Sequence, residues 1–273
     1  MFMHLSPYRN RALITFLLLF SFSFPAISAS DSASALAEAL YNRPAGKDVT
    51  SRVTMILTGK DVATRTRQLA LFRMDRGGGE RWSLMRFSLP ADIKDTGLLT
   101  LDHPGDENDQ WLYLPALDRV RRISSSRKGG RFVGSDLTYE DLRDREPDMD
   151  RHKIIGQGKV GGIKCEVLVS TPVDKSNSIY SKRVSWVHRK TLTALRVDFY
   201  ESGRKQPVKR LLARKLKKIQ GYWTVLESTM YDLKSGHKTK LATSKVKYDQ
   251  GLPDSLFSRQ GLADASRGAK YIP

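Results

Sequence analysis

Apolar and polar residues alternate with two different periods along this chain of 273 residues. Within residues 32–41, apolar side chains recur at helical spacing, which predicts one short amphipathic helix. After Pro44 the period becomes two, as at Val53, Met55 and Leu57, which is typical of strands. Clusters of Gly, Asp and Pro then separate further predicted strands at residues 63–74, 81–89, 96–101, 110–114, 119–123, 152–158, 162–172, 181–189, 194–201, 209–219, 223–233 and 238–247.

No long helical pattern separates these strands, which excludes a parallel α/β arrangement. We predict a mainly β (α+β) fold: a large antiparallel sheet, curled or nearly closed, with a few helices covering one face. Curling creates a concave apolar face that side chains, a helix or a ligand must fill. Residues 253–257 are expected to begin a short terminal helix, and the last dozen residues are expected to fray.

The N-terminus has the order of segments found in exported proteins. Arg9 and Arg11 precede an apolar run over residues 12–24, and small residues follow up to Ala29. This order predicts a cleavable signal peptide over residues 1–29. The run is shorter than the about 20 residues of a spanning helix. No Cys lies near the cleavage site for a lipid anchor, so residues 30–273 are expected to form a single soluble domain in the periplasm.

The formal net charge of +18 favours anionic partners. Export makes nucleic acid the least favoured of them, which leaves acidic proteins and phospholipid headgroups. A charge that only maintains solubility is an alternative. Residues 209–218 carry six basic side chains in ten positions. They form either a solvated strand face or a surface for peripheral contact with an anionic membrane or an acidic partner.

The sequence contains partial matches to catalytic and metal-binding motifs, but the residues around them do not fit those functions. Residues 156–161 match GxGxxG, but the pattern requires a following helix, and here a strand pattern continues. We therefore predict a glycine-rich hairpin turn. His103 lies among acidic residues at spacings that suit neither zinc nor calcium. Cys165, the single cysteine, is expected to pack as a small hydrophobic residue. We expect that the protein has no catalytic activity and binds neither a cofactor nor a metal.

Large apolar residues in the first half of the chain are the candidates for lining a concave cavity. Residues that are adjacent in this set point to opposite faces of a strand, so some of them must point away from any cavity. The candidates are Trp82, Leu84, Met85, Phe87, Leu99, Trp111 and Tyr113.

A group of arginines, Arg119, Arg121 and Arg122, precedes an acidic stretch over residues 136–141. In one interpretation these arginines and acids pair and pin a turn against the sheet edge. In the other, the arginines contact a headgroup or a partner protein at the cavity mouth. Within the acidic stretch, Thr138 and Asp141 have the spacing of a capping box.

Three central motifs, WLYLP at residues 111–115, RVRRI at 119–123 and GSDLTYEDL at 134–142, resemble the LolA-like superfamily of outer-membrane lipoprotein-sorting proteins. The similarity is greatest to a branch found beside RND-type exporters. Weaker similarity at residues 221–223 and 252–257 extends it over most of the chain. The resemblance implies an open half-barrel, capped by helices, that shields acyl chains in the periplasm without catalytic residues or metal.

The leading hypothesis is therefore a periplasmic carrier that buries the acyl chains of a lipoprotein or another lipid and hands it to a membrane acceptor. The alternative is a non-enzymatic accessory or sensor module that binds an RND-type exporter or a regulatory protein. A hydrolase is a third class, for which the sequence nominates no residue.

Overall fold

The computed structural model describes Met1 and residues 29–59, 63–105 and 108–273. Apart from its two end residues, the predicted signal peptide lies outside the described residues. The helices and strands are α1 Ala29–Tyr41, β1 Asp48–Thr58, β2 Arg65–Gly77, β3 Glu80–Leu89, β4 Gly97–Asp102, β5 Asp109–Leu114, β6 Arg119–Arg122, β7 Asp150–Val160, β8 Ile163–Pro172, β9 Lys182–His188, β10 Thr193–Tyr200, β11 Lys209–Ile219, β12 Tyr222–Asp232, β13 Lys238–Tyr248, α2 Arg259–Ala263 and α3 Ser266–Ala269.

The described strands form one antiparallel sheet in the order β6-β5-β4-β3-β2-β1-β13-β12-β11-β10-β9-β8-β7. From β1 the chain meanders outward to β6, crosses to β7 at the opposite edge and meanders back until β13 pairs with β1. The crossing, residues 123–149, is called the crossover segment below. The sheet is not closed, because β6 and β7 are its two edges. The predicted open, curved antiparallel sheet is confirmed.

The sheet curves around the crossover segment. One buried cluster joins Leu98 of β4 and Phe199 of β10 with Phe132 of the crossover segment. In a flat sheet, β4 and β10 would be roughly 30 Å apart, because neighbouring strands are spaced by about 4.8 Å. Their shared cluster therefore requires strong curvature, with this cluster on the concave side, which we call the inner face.

The opposite, outer face of the first strands has its own apolar cover. Phe72, Leu84 and Leu99 are buried there against Leu256 and Leu262. The covering residues, 252–273, are called the C-terminal cover. The expectation that the last dozen residues fray is wrong, because Leu262 is buried in this cluster and Tyr271 and Ile272 pack against it.

Side chains also hold helix α2 of the C-terminal cover in place. The Ser258 hydroxyl accepts a hydrogen bond from the Gly261 amide at 2.9 Å and so caps the start of α2. Arg86 of β3 is buried and donates to the carbonyl oxygens of Gly261 and Leu262 at 2.7 and 3.1 Å. The predicted terminal helix begins after Ser258, while residues 254–257 form a 3-10 turn.

Helix α1 packs on the inner face at the far end of the sheet. Leu36 and Ala37 are buried against Leu168 of β8 and Val187 of β9. The register between β9 and β10 places Val187 on the same face as Phe199. The N-terminal helix predicted over residues 32–41 is confirmed, and it supplies one end wall of the concavity.

The hairpin between β7 and β8 corrects one sequence prediction. The turn lies at Gly161 and Gly162, both with positive φ, whereas Gly156 occupies a bulge within β7. The strand after the glycines excludes a dinucleotide site here, as predicted. Cys165 of β8 is buried, which confirms its predicted packing, and this burial raises the pKa of its thiol.

Candidate functional site on the inner face

The crossover segment places apolar side chains at the centre of the inner face. Phe132 stacks on Phe87 with ring centroids 5.6 Å apart, and Tyr139 meets Phe132 edge-on at 6.3 Å. Leu137 is buried in the same cluster, and Leu142 packs against it. The chain itself therefore fills the middle of the concave face.

Charged side chains fasten the crossover segment to the second half of the sheet. Glu140 forms an ion pair with Arg183 of β9. Asp141 accepts a hydrogen bond from the Tyr180 hydroxyl at 2.8 Å and lies 3.1 Å from Lys209 Nζ of β11. Burial and the neighbouring Asp141 raise the pKa of Tyr180, and burial lowers the pKa of Arg183. These groups form a polar network shielded from water, in which loss of one partner takes a hydrogen bond or an ion pair from another buried group.

A second set of polar contacts lies where β12 turns into β13. Asp136 accepts a hydrogen bond from the Thr239 hydroxyl at 2.7 Å and also contacts His237 Nδ1 at 2.7 Å and Arg131 at 3.5 Å. Arg131 pairs with Asp232 at 2.7 Å. The crossover segment is thus tied to β9, β11, β12 and β13, and its apolar side chains face the first strands.

The crossover segment leaves a cavity of about 340 Å³ at one end of the inner face. It lies between the end of α1, the adjacent ends of β1 and β2, and those of β12 and β13. Apolar side chains form much of its wall, notably Leu40, Leu71, Val225 and Val246. We call it the large cavity.

Three arginines line the large cavity as well. Arg73 pairs with Asp144, whose charge raises the pKa of Arg73. Arg81 stacks over the ring of Tyr41 with 3.7 Å from its guanidinium carbon to the ring centroid. Arg43 donates to a backbone carbonyl, that of residue 223, at 3.3 Å. Burial and the charge of Arg73 lower the pKa of Arg43. Among the described residues no carboxylate lies within 4.0 Å of Arg43, so the wall carries unneutralised positive charge.

A smaller cavity of about 180 Å³ continues the large one and is lined by Met85 and Leu142. Both cavities share a wall, formed by Leu71, Arg73, Arg81 and Asp144. Asp102 is buried at the small cavity and accepts a hydrogen bond from the Asp144 amide at 2.9 Å. Burial, together with the charge of Asp144, raises the pKa of Asp102 to about 7. The two cavities form one space whose wall combines apolar side chains with charged groups, which suits an amphiphilic ligand.

The sequence-predicted lining residues are divided between the two faces. Met85 and Phe87 lie on the inner face, where Met85 borders the small cavity and Phe132 covers Phe87. Leu84 and Leu99 are buried on the outer face. The three remaining candidates pack against that same outer cluster: Trp82, Trp111 and Tyr113. Of these, Trp82 also borders the small cavity.

The predicted contact arginines, Arg119, Arg121 and Arg122, are exposed on the edge strand β6 and line neither cavity. Arg122 pairs with Asp109 of the neighbouring strand at 2.6 Å. The arginines do not pair with the acidic residues 136–141, whose partners are those described above. The predicted pairing between these arginines and acids is therefore wrong.

The predicted capping box does form. The Thr138 amide donates to the Asp141 carboxylate at 2.7 Å, and the Asp141 amide donates to the Thr138 hydroxyl at 3.4 Å. It surrounds one 3-10 turn instead of starting an α-helix.

Sequence reasoning missed the residues that give the cavities their charge. Arg73 and Arg81 lie on either side of the β2–β3 turn and on one face of that hairpin. The glycines at 77–79 indicate this turn in the sequence. Arg43, Asp102 and Asp144 had no such signal, because they come from separate segments that only the fold brings together.

These features define a class of protein: an open antiparallel half-barrel with a partly filled, charged and apolar interior. A family model described only as an uncharacterized protein matches residues 79–264. A DUF1329 family protein from Desulfovibrio piger is 31% identical, with a TM-score of 0.82, over 86% of this chain and 100% of that chain. A domain described as a candidate outer membrane lipoprotein-sorting protein, from Vibrio parahaemolyticus, is 32% identical, with a TM-score of 0.81 over the same shares.

A LolA superfamily protein from Nitrosomonas europaea shares the fold, with 19% identity and a TM-score of 0.65 over 86% of this chain and 100% of that chain. Among curated proteins, no sequence matches this one. The chain belongs to the DUF1329 family, and its fold is that of the LolA-like lipoprotein-sorting proteins. Within the part of the chain that the structure describes, no helix is long and apolar enough to cross a membrane.

Proposed function

We propose that this protein is a periplasmic carrier that shields acyl chains of a lipoprotein or another lipid and hands them to a membrane acceptor. The observation that carries the proposal is the pair of connected cavities on the inner face, whose walls combine apolar side chains with arginines and carboxylates. The family relationship supports the same function. Export to the periplasm through a cleaved signal peptide over residues 1–29 is part of the proposal, with residues 30–273 as one domain.

Burial in the cavities would bind an acyl chain with about 0.8 kcal/mol per methylene removed from water. In the described state, Phe132, Leu137 and Leu142 of the crossover segment occupy the centre of the concave face. The cavities therefore hold the first part of a chain, and a longer one would displace the crossover segment. Handover would require only an acceptor that offers equal or better burial, so the proposed mechanism has no covalent step and uses no cofactor.

The orientation of the ligand follows from the wall charges. Arg43, which has no carboxylate within 4.0 Å among the described residues, would attract an anionic group of the lipid. Met85 and Leu71 would contact the acyl chain in the small cavity and at its entrance. Of the candidates from the sequence, we keep Met85, Phe87 and Trp82 as proposed lipid contacts, because they lie on the inner face or border a cavity.

Two adjacent residues of β13 provide a matched test. Thr243 lines the large cavity, whereas Ser244 is exposed on the other face. Thr243→Phe should weaken binding of a fluorescent fatty acid about tenfold, since a ring that displaces about two methylenes removes about 1.6 kcal/mol of burial. Ser244→Phe should leave the affinity unchanged. Extraction of the purified native protein, followed by mass spectrometry, should yield acyl lipid. Absence of extractable lipid, together with equal fatty-acid binding by both variants, would refute the carrier.

A more specific part of the proposal concerns the acceptor. We propose an RND-type exporter or an outer-membrane acceptor as the partner, with Arg119, Arg121 and Arg122 as contact residues. Their exposure on an edge strand supports this role. Reversing the first two charges should reduce transfer of the fatty acid to acceptor membranes without changing its affinity. Unchanged transfer would remove the arginines from the proposal.

A further inference from the structure

The basic stretch at residues 209–218 belongs to a larger positively charged surface. Strands β11 and β13 carry no acidic residue, and the strand between them, β12, contributes Glu227. Glu227 lies 2.9 Å from both Lys215 and Lys240. Five exposed lysines of β11 and β13 remain without a carboxylate within 4.0 Å among the described residues. One of them, Lys238, lies at the opposite end of β13. We call the other four the rim lysines: Lys217, Lys218, Lys245 and Lys247.

The fold brings the rim lysines to one end of the sheet. Gln220, in the turn after β11, donates to the Tyr248 carbonyl at 3.2 Å and accepts from the Tyr248 amide at 2.9 Å. Lys217 and Lys218 precede this turn by two or three residues, and Lys245 and Lys247 precede Tyr248 by one or three. Two stretches about thirty residues apart in sequence therefore form one charged edge.

This edge is also an end of the large cavity. Thr224 and Val225 of β12 and Val246 and Tyr248 of β13 line that cavity, and the rim lysines lie on or beside the same strand ends. The nearby Asp249 carboxylate already accepts hydrogen bonds from the Tyr222 hydroxyl at 3.0 Å and the backbone amide of residue 47 at 2.7 Å. It is therefore engaged within the protein.

The composition of the edge fits a lipid surface better than a folded acidic protein. Its charges are lysines, flexible point charges that suit a fluid array of anions, whereas arginine provides the fixed bidentate geometry of specific protein contacts. Tyr222 and Trp223 lie beside the lysines and are half-buried. Aromatic rings of this type favour the headgroup region of a bilayer.

We propose that the rim lysines dock this end of the half-barrel on an anionic phospholipid surface, which turns the large cavity toward the bilayer. This inference rests on the proposed carrier function, because it gives the route by which an acyl chain passes between cavity and membrane. Docking is electrostatic and reversible, and it falls off with the Debye length, about 8 Å at physiological ionic strength.

The test is co-sedimentation with vesicles of phosphatidylcholine that contain phosphatidylglycerol or lack it. The protein should bind the anionic vesicles and lose this binding at high salt. Lys217→Gln, Lys218→Gln, Lys245→Gln and Lys247→Gln combined should weaken binding at least about tenfold, since each basic residue at a membrane contributes about fivefold. The matched control neutralises four exposed lysines elsewhere on the surface: Lys153, Lys159, Lys164 and Lys205. This control should change binding by less than about threefold.

Equal binding to both vesicle types, or equal losses in both quadruple variants, would overturn the docking surface and leave the lysines for an acidic protein partner. Fatty-acid binding without vesicles is measured in parallel on the same proteins. Retained fatty-acid binding with failed vesicle binding refutes docking alone. Vesicle binding in a protein that binds no fatty acid refutes the carrier and leaves docking intact.

Discussion

The inner face and the outer face of the first strands are both apolar, yet they are covered in different ways. On the outer face, Leu256, Phe257 and Leu262 of the C-terminal cover are buried against the strands. On the inner face, the crossover segment also brings apolar side chains, but Glu140 and Asp141 fasten it through ionic contacts. Both described cavities border the inner face. The outer cover is held mainly by apolar contacts, whereas the inner cover also depends on ion pairs, so we expect the loss of one charge to loosen the inner cover more.

The largest expected effect comes from opening the outer face. Phe257→Ala should destabilise the protein by about 4 kcal/mol, because the ring is buried and lies 6.1 Å from that of Trp82. Urea denaturation measures this loss. Fatty-acid affinity of the folded variant should not change. A clear fall in affinity would move the binding site to the outer face, beside Trp82, Leu84 and Leu99.

Releasing the inner cover should have a different signature. Glu140→Gln removes the nearer of two carboxylates around the buried Arg183 guanidinium, and the other, Asp150, lies 3.6 Å away. The expected cost is therefore about 2 kcal/mol. Limited proteolysis should then cut the crossover segment faster, and fatty acid should load faster. The control is Arg122→Gln, which breaks an exposed pair with Asp109 worth less than about 1 kcal/mol. Equal cleavage rates in the two variants would contradict a releasable inner cover.

The smallest effect is a pH dependence that belongs to the inner face. Asp102 has a folded pKa of about 7, well above its ordinary value of 3.8, so the folded state binds its proton more tightly than the unfolded state does. Its contribution to stability is therefore largest below pH 4 and is lost as the pH rises toward 7. Asp102→Asn should remove this dependence, so its stability should change less between about pH 4 and 8. Parallel stability curves for the two proteins would show that Asp102 ionises normally.

The strand pattern was predictable because each strand has one side that faces apolar neighbours. β11 was predicted at its observed bounds, and most other strands within about two residues. The C-terminal cover was not predicted. Its buried residues, Leu256, Phe257 and Leu262, are too few and too unevenly spaced for a periodic signal.

The sequence predicted that the site would be a concave apolar face, but it identified few of the residues that line it. Alternation indicated that Leu84 and Met85 point to opposite faces, but both faces are apolar here, so the pattern could not tell which is concave. The partners of Glu140 and Asp141 lie about forty residues or more away, at Arg183, Tyr180 and Lys209. No local spacing rule reports such pairs.

By itself, the sequence determined the class of fold, the order of the strands along the chain and the excess of positive charge, because these depend on local periodicity and composition. The tertiary structure decided which face is concave, which segment fills it and where Arg43, Arg73 and Asp102 meet. Those features arise from contacts between distant segments, since curvature and the crossover segment bring together residues that are far apart in the chain.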